Sequence, residues 1–329
     1  MLRYFLRATF LLAAGAFLSA ASPRCALRAA SLELSPSARA VIDSIYSGDL
    51  RAGLEGAHRL QQERPDHPLG YLLEAEALWW RIWCTSAEFK YGMTYPRHRA
   101  RLAADQRYLD LAAKVSALAA QATASSGESA ETRFYSGMGN ALAARLYGLR
   151  NEGRNTARFG VRAREDLLRA IALDPNLADA DFGVGLYNYY ADTLSAAARV
   201  LRFFMGIPGG NKQEGIRQLE HAIAEAALTP PEARFYLAIN LHNYDQQYQR
   251  ALDVAGPLVE KYPSNPLFQL ILGDLYAKRG RTAPAAEHYR AAAALPVSDP
   301  ECHARIHELA RASLAAIGAP AEDAPIRPN

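Results

Sequence analysis

Two histidines near the C-terminus are the residues whose type and spacing come closest to a metal site. His303 and His307 stand four residues apart, which places them on one face of a helix, where a third ligand could complete a zinc site. A zinc-protease helix carries glutamate directly after its first histidine, whereas Glu308 here follows the second. We therefore interpret both histidines as solvated surface residues and predict no metal site.

Acid–base chemistry would need paired carboxylates. Asp179, Asp181 and Asp192 are close enough in sequence to be considered. Helix capping or a place along a groove is the more ordinary use of such residues, and no serine, cysteine or threonine stands in a recognisable nucleophile setting. We predict a protein without enzymatic activity and without a cofactor, while an enzyme with an unrecognised site remains the third hypothesis.

A glycine turn from Pro208 to Lys212 could be mistaken for a phosphate loop. It lacks the spaced first glycine, and no strand precedes it. Asn211 followed by Glu214 is a capping box, which predicts a helix that starts at this point. The alternative is an anion held by the backbone amides of the turn. That anion site would consist of Gly209, Gly210, Asn211 and Lys212.

The elements that must position these residues are helices. The chain has 329 residues and many alanines, with few runs that alternate valine or isoleucine with polar residues, so the pattern predicts an all-α fold. The net charge is only +3, and no dense basic run indicates nucleic-acid binding.

Residues 265–295 form a repeat unit of two helices. Gly273 and Ala285 are small enough to let two antiparallel helices approach closely, and Gly280 makes the turn between them. Tyr276 and Tyr289 fill the space beside that contact. Such a pair cannot bury its apolar face alone, so neighbours of the same kind are expected.

With these residues the chain resembles a bacterial exported tetratricopeptide-repeat (TPR) protein, best over 160–294. The resemblance implies a right-handed α-α superhelix, that is, a solenoid of antiparallel helix pairs with a C-terminal capping helix. We expect degenerate N-terminal helical repeats over 36–159 and TPR units over 160–299. A capping helix over 300–317 and a disordered tail over 318–329 complete the expected order. We also expect a long helix to start at Pro96.

One repeat is interrupted. Gly185 and Gly215 take equivalent places on the two helices of a pair but stand 30 positions apart, against about twelve in the repeat pattern. This predicts a helical insertion over about 192–211. The stretch 183–222 is also similar to the TPR family related to the fungal inclusion-body clearance protein of the mitochondrial outer membrane. That family implies scaffolding rather than a reaction.

The TPR resemblance also implies a concave groove lined by set positions of each first helix. Aromatic and amide groups at these positions suit an extended peptide. The positions that we predict to bind a partner are Asp179, Phe182, Leu186, Tyr189, Tyr190, Phe235, Ile239, His242, Asn243, Asp274 and Lys278. Packing between repeats is the alternative role for the aromatic members.

The insertion offers a second surface, which we call the insertion patch. It consists of Leu201, Phe203, Phe204 and Met205. These side chains could form a docking site for a partner or a membrane surface. Alternatively, they fold back over the repeat and belong to the core.

The N-terminal residues predict export. Arg3 and Arg7 precede an apolar run over 8–18 and then small residues, the order of a secretory signal peptide over 1–21 with a linker over 22–35. A retained anchor is the alternative. Export would permit a bridge between Cys84 and Cys302. Because a solenoid keeps distant parts of a chain apart, and a bridge needs α carbons within about 7 Å, we expect free thiols.

The predicted function is that of an exported, non-enzymatic adaptor or scaffold in the bacterial envelope, periplasmic or attached to the outer membrane. Its concave groove would bind a protein or peptide partner. The alternative is a small-molecule-binding or transport-accessory protein in which the insertion closes the groove into an apolar pocket. Membrane contact through the insertion or a retained N-terminal segment stays open.

Overall fold

The computed structural model describes residues 32–96 and 100–319, which form an all-α chain with one short hairpin. The expected signal peptide, Cys25, the linker up to residue 31 and the tail from residue 320 lie outside the described residues. In chain order the elements are α1 Pro36–Tyr46, α2 Leu50–Glu63, α3 Pro68–Ser86, β1 Ala87–Lys90, β2 Met93–Pro96, α4 Ala103–Ser126, α5 Ala130–Leu149, α6 Gly153–Leu173, α7 Asp179–Thr193, α8 Ala196–Phe204, α9 Lys212–Glu225, α10 Pro230–Asn243, α11 Tyr248–Lys261, α12 Pro266–Lys278, α13 Thr282–Ala294 and α14 Pro300–Ala316.

Short turns and capping residues fix where the helices begin. Asn265 accepts hydrogen bonds from the amides of Leu267 and Phe268, and Asp299 caps α14 in the same way. A proline occupies the first turn of five helices, where its missing N–H costs nothing. These helices are α1, α3, α10, α12 and α14.

The helices pair in the way that the repeat pattern predicts. A three-residue turn with Gly280 at φ +69° joins α12 to α13, so the two helices run antiparallel. Gly273 faces the Tyr289 ring so closely that a β carbon there would lie 2.6 Å from Cε1. The predicted close approach of this pair is therefore confirmed.

The first helices of successive pairs run parallel and in register. At the start of α7, Asp179 contacts Thr229, which precedes α10, and near the other end Tyr190 donates to Asn240 of α10. The first helix of a pair lies deeper in the array than the second. In the last pair, for example, α12 buries ten residues and α13 only four. The array is thus compatible with an α-solenoid.

Aromatic side chains of the first helices fill the centre of the array. The Trp80 ring of α3 lies 4.8 Å from Phe235 of α10 and 5.6 Å from Phe268 of α12, both edge to face. Helices far apart in sequence therefore share one core.

The two ends of the array meet, which corrects our expectation for the cysteines. Cys84 of α3 and Cys302 of α14 form a disulfide, with α carbons 5.5 Å apart and 218 residues between them in sequence. The expectation of free thiols was wrong because it assumed an open solenoid. Further contacts close the array, since the Tyr262 hydroxyl donates to Asp43 and Asn265 donates to the Tyr46 carbonyl. Helix α14 therefore packs on the start of the array as well as on its end.

The segment after α3 differs from its prediction. Instead of a helix that starts at Pro96, β1 and β2 form an antiparallel hairpin with Ala87 opposite Pro96, and α4 begins at Ala103. Tyr91 at φ 57° and Gly92 at φ 72° make its turn. The residue before a proline avoids the helical region, which favours the extended chain at Tyr95.

Candidate functional site

Most predicted groove residues lie in the closed centre rather than on an open surface. Those that are buried are Asp179, Phe182, Tyr189, Phe235, His242 and Asp274. Those that are half-buried are Leu186, Tyr190, Ile239 and Lys278, and Asn243 alone among the predicted set is exposed. Within the described part of the chain, most of the predicted groove is therefore core or half-buried.

Asp179 serves as a cap. Its carboxylate accepts hydrogen bonds from the amides of Ala227, Leu228 and Thr229 at 2.8–3.0 Å, just before α10 begins. These amides have no partner inside α10, so the carboxylate satisfies them from the neighbouring repeat. This is the capping role that we weighed against acid–base chemistry.

The two predicted tyrosines also join neighbouring repeats. The Tyr189 hydroxyl donates to the Asn240 carbonyl at 3.0 Å and to the Asp245 carboxylate at 2.9 Å. Tyr190 donates to the Asn240 side chain at 2.9 Å, and burial raises the pKa of its hydroxyl well above the ordinary value. Packing between repeats is thus their role in this conformation.

Asp274 ties the hairpin to α12. It accepts from the Thr94 amide at 2.6 Å and from the Tyr289 hydroxyl at 2.8 Å. Burial raises the pKa of this carboxyl group to about 7. Asp274, which the repeat pattern assigns to partner binding, therefore binds the Thr94 backbone of the same chain.

A buried ionic cluster lies at the centre, and sequence reasoning missed it. Arg145 of α5 donates to Glu76 of α3 at 2.9 Å, to the Tyr108 hydroxyl, and to Glu232 of α10. Burial and then the charge of Glu76 raise the pKa of Glu232 to about 8, against the opposing effect of the Arg145 charge. The available signal was Glu74 and Glu76 inside an otherwise apolar helix.

Polar atoms on the inner side of α10 have no hydrogen-bond partner among the described residues. They are the Tyr236 hydroxyl, the Asn240 amide nitrogen and Nε2 of His242. Burial lowers the pKa of His242, which keeps the ring neutral. Buried polar groups normally find a partner, so these three atoms are exceptions within the described part of the chain.

Two predicted groove residues, Asn243 and Lys278, reach solvent beside two exposed tyrosines that were not predicted, Tyr91 and Tyr244, and we call these four residues the rim surface. Tyr91 is 75% and Tyr244 54% exposed. Lys278 donates to the Tyr91 carbonyl and lies near enough to His242 to lower its pKa. His242 in turn bonds Asn243 at 2.8 Å, and the Tyr244 ring stands 6.1 Å from Tyr190. The rim surface thus takes Asn243 and Tyr244 from the end of α10, Lys278 from the end of α12 and Tyr91 from the hairpin turn.

The insertion contains the predicted amphipathic helix, α8, and its apolar end is exposed. Phe203, Phe204 and Met205 are 77%, 79% and 52% exposed, whereas the Leu201 side chain lies outside the described part. The alternative in which these residues fold back into the core therefore does not hold for these three.

The glycine turn acts as the predicted cap. Asn211 accepts from the Glu214 amide at 3.0 Å, and the Lys212 amide donates to Asp192 at 3.0 Å. The Lys212 ammonium binds Asp245. Both polar groups of Lys212 that we considered for an anion are thus bonded to the chain's own carboxylates.

Two cavities bear on the small-molecule alternative. One of about 20 Å³ lies beside Cys302 and Trp80, and one of about 10 Å³ lies beside Glu76 and Glu232. A water molecule needs about 10–15 Å³, so each holds no more than one or two. The apolar end of the insertion faces solvent and lines neither of these two cavities.

The described residues hold no cluster of three or more potential metal ligands. The ring centroids of His303 and His307 lie 4.4 Å apart, and no third ligand joins them among these residues. Among the helices of residues 32–96 and 100–319, none has the length and apolarity to cross a membrane.

No protein-family model matches this sequence, and a search of curated proteins also found no match.

Proposed function

We propose that this chain is an exported, non-enzymatic adaptor of the TPR-like superhelical type that binds a protein or peptide partner. The parallel first helices and the glycine contacts between paired helices support the TPR assignment. The disulfide supports export, because such bridges persist in oxidising compartments such as the bacterial periplasm.

The partner contact belongs to the rim surface rather than to the whole concave face. The observation that carries this placement is the exposure of Asn243 and Tyr244 at the end of α10 and of Tyr91 beside Lys278. Tyrosine rings give large contact areas at low entropy cost, while an amide can meet the backbone of an extended segment.

The test is photo-cross-linking in cells with a light-activated amino acid at Asn243 or at Tyr244. We expect one dominant protein adduct from both positions. The matched control carries the same amino acid at Glu225, which is exposed at the C-terminal end of α9 and away from the rim surface. An adduct from Glu225 alone, or none from the rim in a chain that is folded and exported, would contradict the proposal.

A further inference from the structure

The insertion is held on a fixed base. The Tyr187 hydroxyl of α7 donates to the Pro208 carbonyl at 2.8 Å, and Arg202 of α8 donates to the same oxygen at 2.8 Å. The Lys212 amide binds Asp192 at the far end of the segment. Both ends of the insertion are therefore tied to α7, and the exposure of its apolar end is a feature of the fold.

The exposed apolar side chains form a tip and not a stripe. Phe203 and Phe204 are the last two residues of α8, and Met205 follows them. Consecutive helical residues point in different directions, about 100° apart, whereas a helix that fills a protein groove presents residues three or four apart. Leu194, at the other end of the helix, is also exposed. A tip of this kind fits a soft, planar apolar layer better than a groove.

Two arginines give α8 its positive charge. Between Asp192 and Glu214 the chain carries Arg199, Arg202 and Lys212 and no carboxylate, and of these Lys212 is paired with Asp245. Arg199 is exposed and has no ion-pair partner among the described residues, and Arg202 donates to the Pro208 backbone carbonyl.

We propose that α8 docks onto an anionic phospholipid bilayer. Phe203, Phe204 and Met205 enter the boundary between headgroups and acyl chains, Arg199 meets the lipid phosphates, and Arg202 stays on the Pro208 carbonyl and adds its charge. Aromatic and apolar groups combined with nearby arginine are the side chains that hold a short helix at such a boundary. This contact lies on α8, apart from the rim surface, and would present the rim to a partner beside the membrane.

Vesicle flotation tests the proposal. The chain from Ser22 onward keeps all described elements and removes the apolar leader, which would bind lipid by itself. We expect it to float with vesicles of equal parts phosphatidylglycerol and phosphatidylcholine, more weakly with pure phosphatidylcholine, and less as salt rises. F203S/F204S should reduce binding by about tenfold or more, since two large side chains lose their apolar contact.

Two matched controls separate the tip from general stickiness. L173S alters an exposed leucine at the end of α6, and R158E makes on α6 the same charge change that R199E makes on α8. Only F203S/F204S and R199E should weaken binding. Equal loss in R158E and R199E, or no loss in F203S/F204S, would overturn the proposal.

A second measurement does not depend on flotation. The three native tryptophans are all buried in α3, so F204W adds one that reports on the tip. We expect brominated phosphatidylglycerol to quench F204W more than the wild type. If F204W is not quenched, and F203S/F204S instead loses a protein adduct in cells, the tip binds a protein and the lipid proposal fails.

Discussion

Removal of the disulfide should destabilise the chain strongly. The bridge joins Cys84 and Cys302 across 218 residues, so it closes nearly the whole described array into one loop. In the chain-entropy account a crosslink restricts the unfolded chain, and the effect grows with the logarithm of loop length. For a loop of this size that relation gives about 5 kcal/mol, against about 2–5 kcal/mol for loss of natural bridges. We expect C84A/C302A to lose about 2–5 kcal/mol.

Urea unfolding followed by tryptophan fluorescence is the assay. Trp79, Trp80 and Trp83 all lie in α3, the helix that bears Cys84, so the signal reports on the closed end of the array. The variant should have a lower midpoint, and its dependence on urea should be steeper, because an unfolded chain without the crosslink exposes more surface.

Controls distinguish the crosslink from the loss of two sulfur atoms. Reduction of the wild type should lower stability by a similar amount, and C25A, which removes the third cysteine, should change nothing. The reasoning is refuted if C84A/C302A matches the wild type in both midpoint and slope. It is equally refuted if mass spectrometry of exported protein finds both thiols free.

Two further predictions concern the raised pKa of Glu232 in the buried ionic cluster and the close contact between α7 and α9 at Gly215. Because the pKa of Glu232 is raised to about 8 in the fold, the folded chain binds more protons than the unfolded chain between about pH 4.5 and 8. Stability should therefore fall as pH rises through that window, by at most about 1.4 kcal/mol per pH unit from this group. Urea titrations at several pH values should show a shallower fall for E232Q than for the exposed-site control E225Q. Equally steep falls in the two variants would contradict this prediction. A β carbon at Gly215 would lie 2.6 Å from the Gly185 carbonyl oxygen, whereas one at Gly160, inside α6, would be nearest the Tyr187 ring at 3.9 Å. G215A should thus cost about 1–3 kcal/mol while G160A stabilises by about 0.5–1 kcal/mol in thermal unfolding, and equal effects would refute the packing argument.

Local pairing could be predicted from sequence because it depends on neighbours. Gly185 and Gly215 were identified as equivalent small positions despite the insertion between them, and the structure sets them against each other. The capping role of Asn211 likewise follows from the three residues after it. The spacing of residue types along the chain predicts short-range contacts of this kind.

Closure of the array could not be predicted in the same way. The curvature of a solenoid is the sum of small rotations between successive pairs, and no single residue specifies it. Whether α14 reaches α3 depends on every intervening pair. The residues around Cys84 and Cys302 therefore do not indicate that these two cysteines pair. The same closure turned groove positions such as Phe235 and Asp274 into core.

Closure of the array buries most of the positions predicted to line a concave groove, so the proposed contacts lie elsewhere. Helices α7 and α10 run parallel, so the loops that follow them lie on the same side. Six of the seven large apolar side chains exposed among the described residues lie in or beside these loops, on the hairpin, the insertion and the turn after α10. Loops tolerate insertion and variation while the helices keep their packing. This concentration of exposed apolar surface is why both proposed contacts lie there.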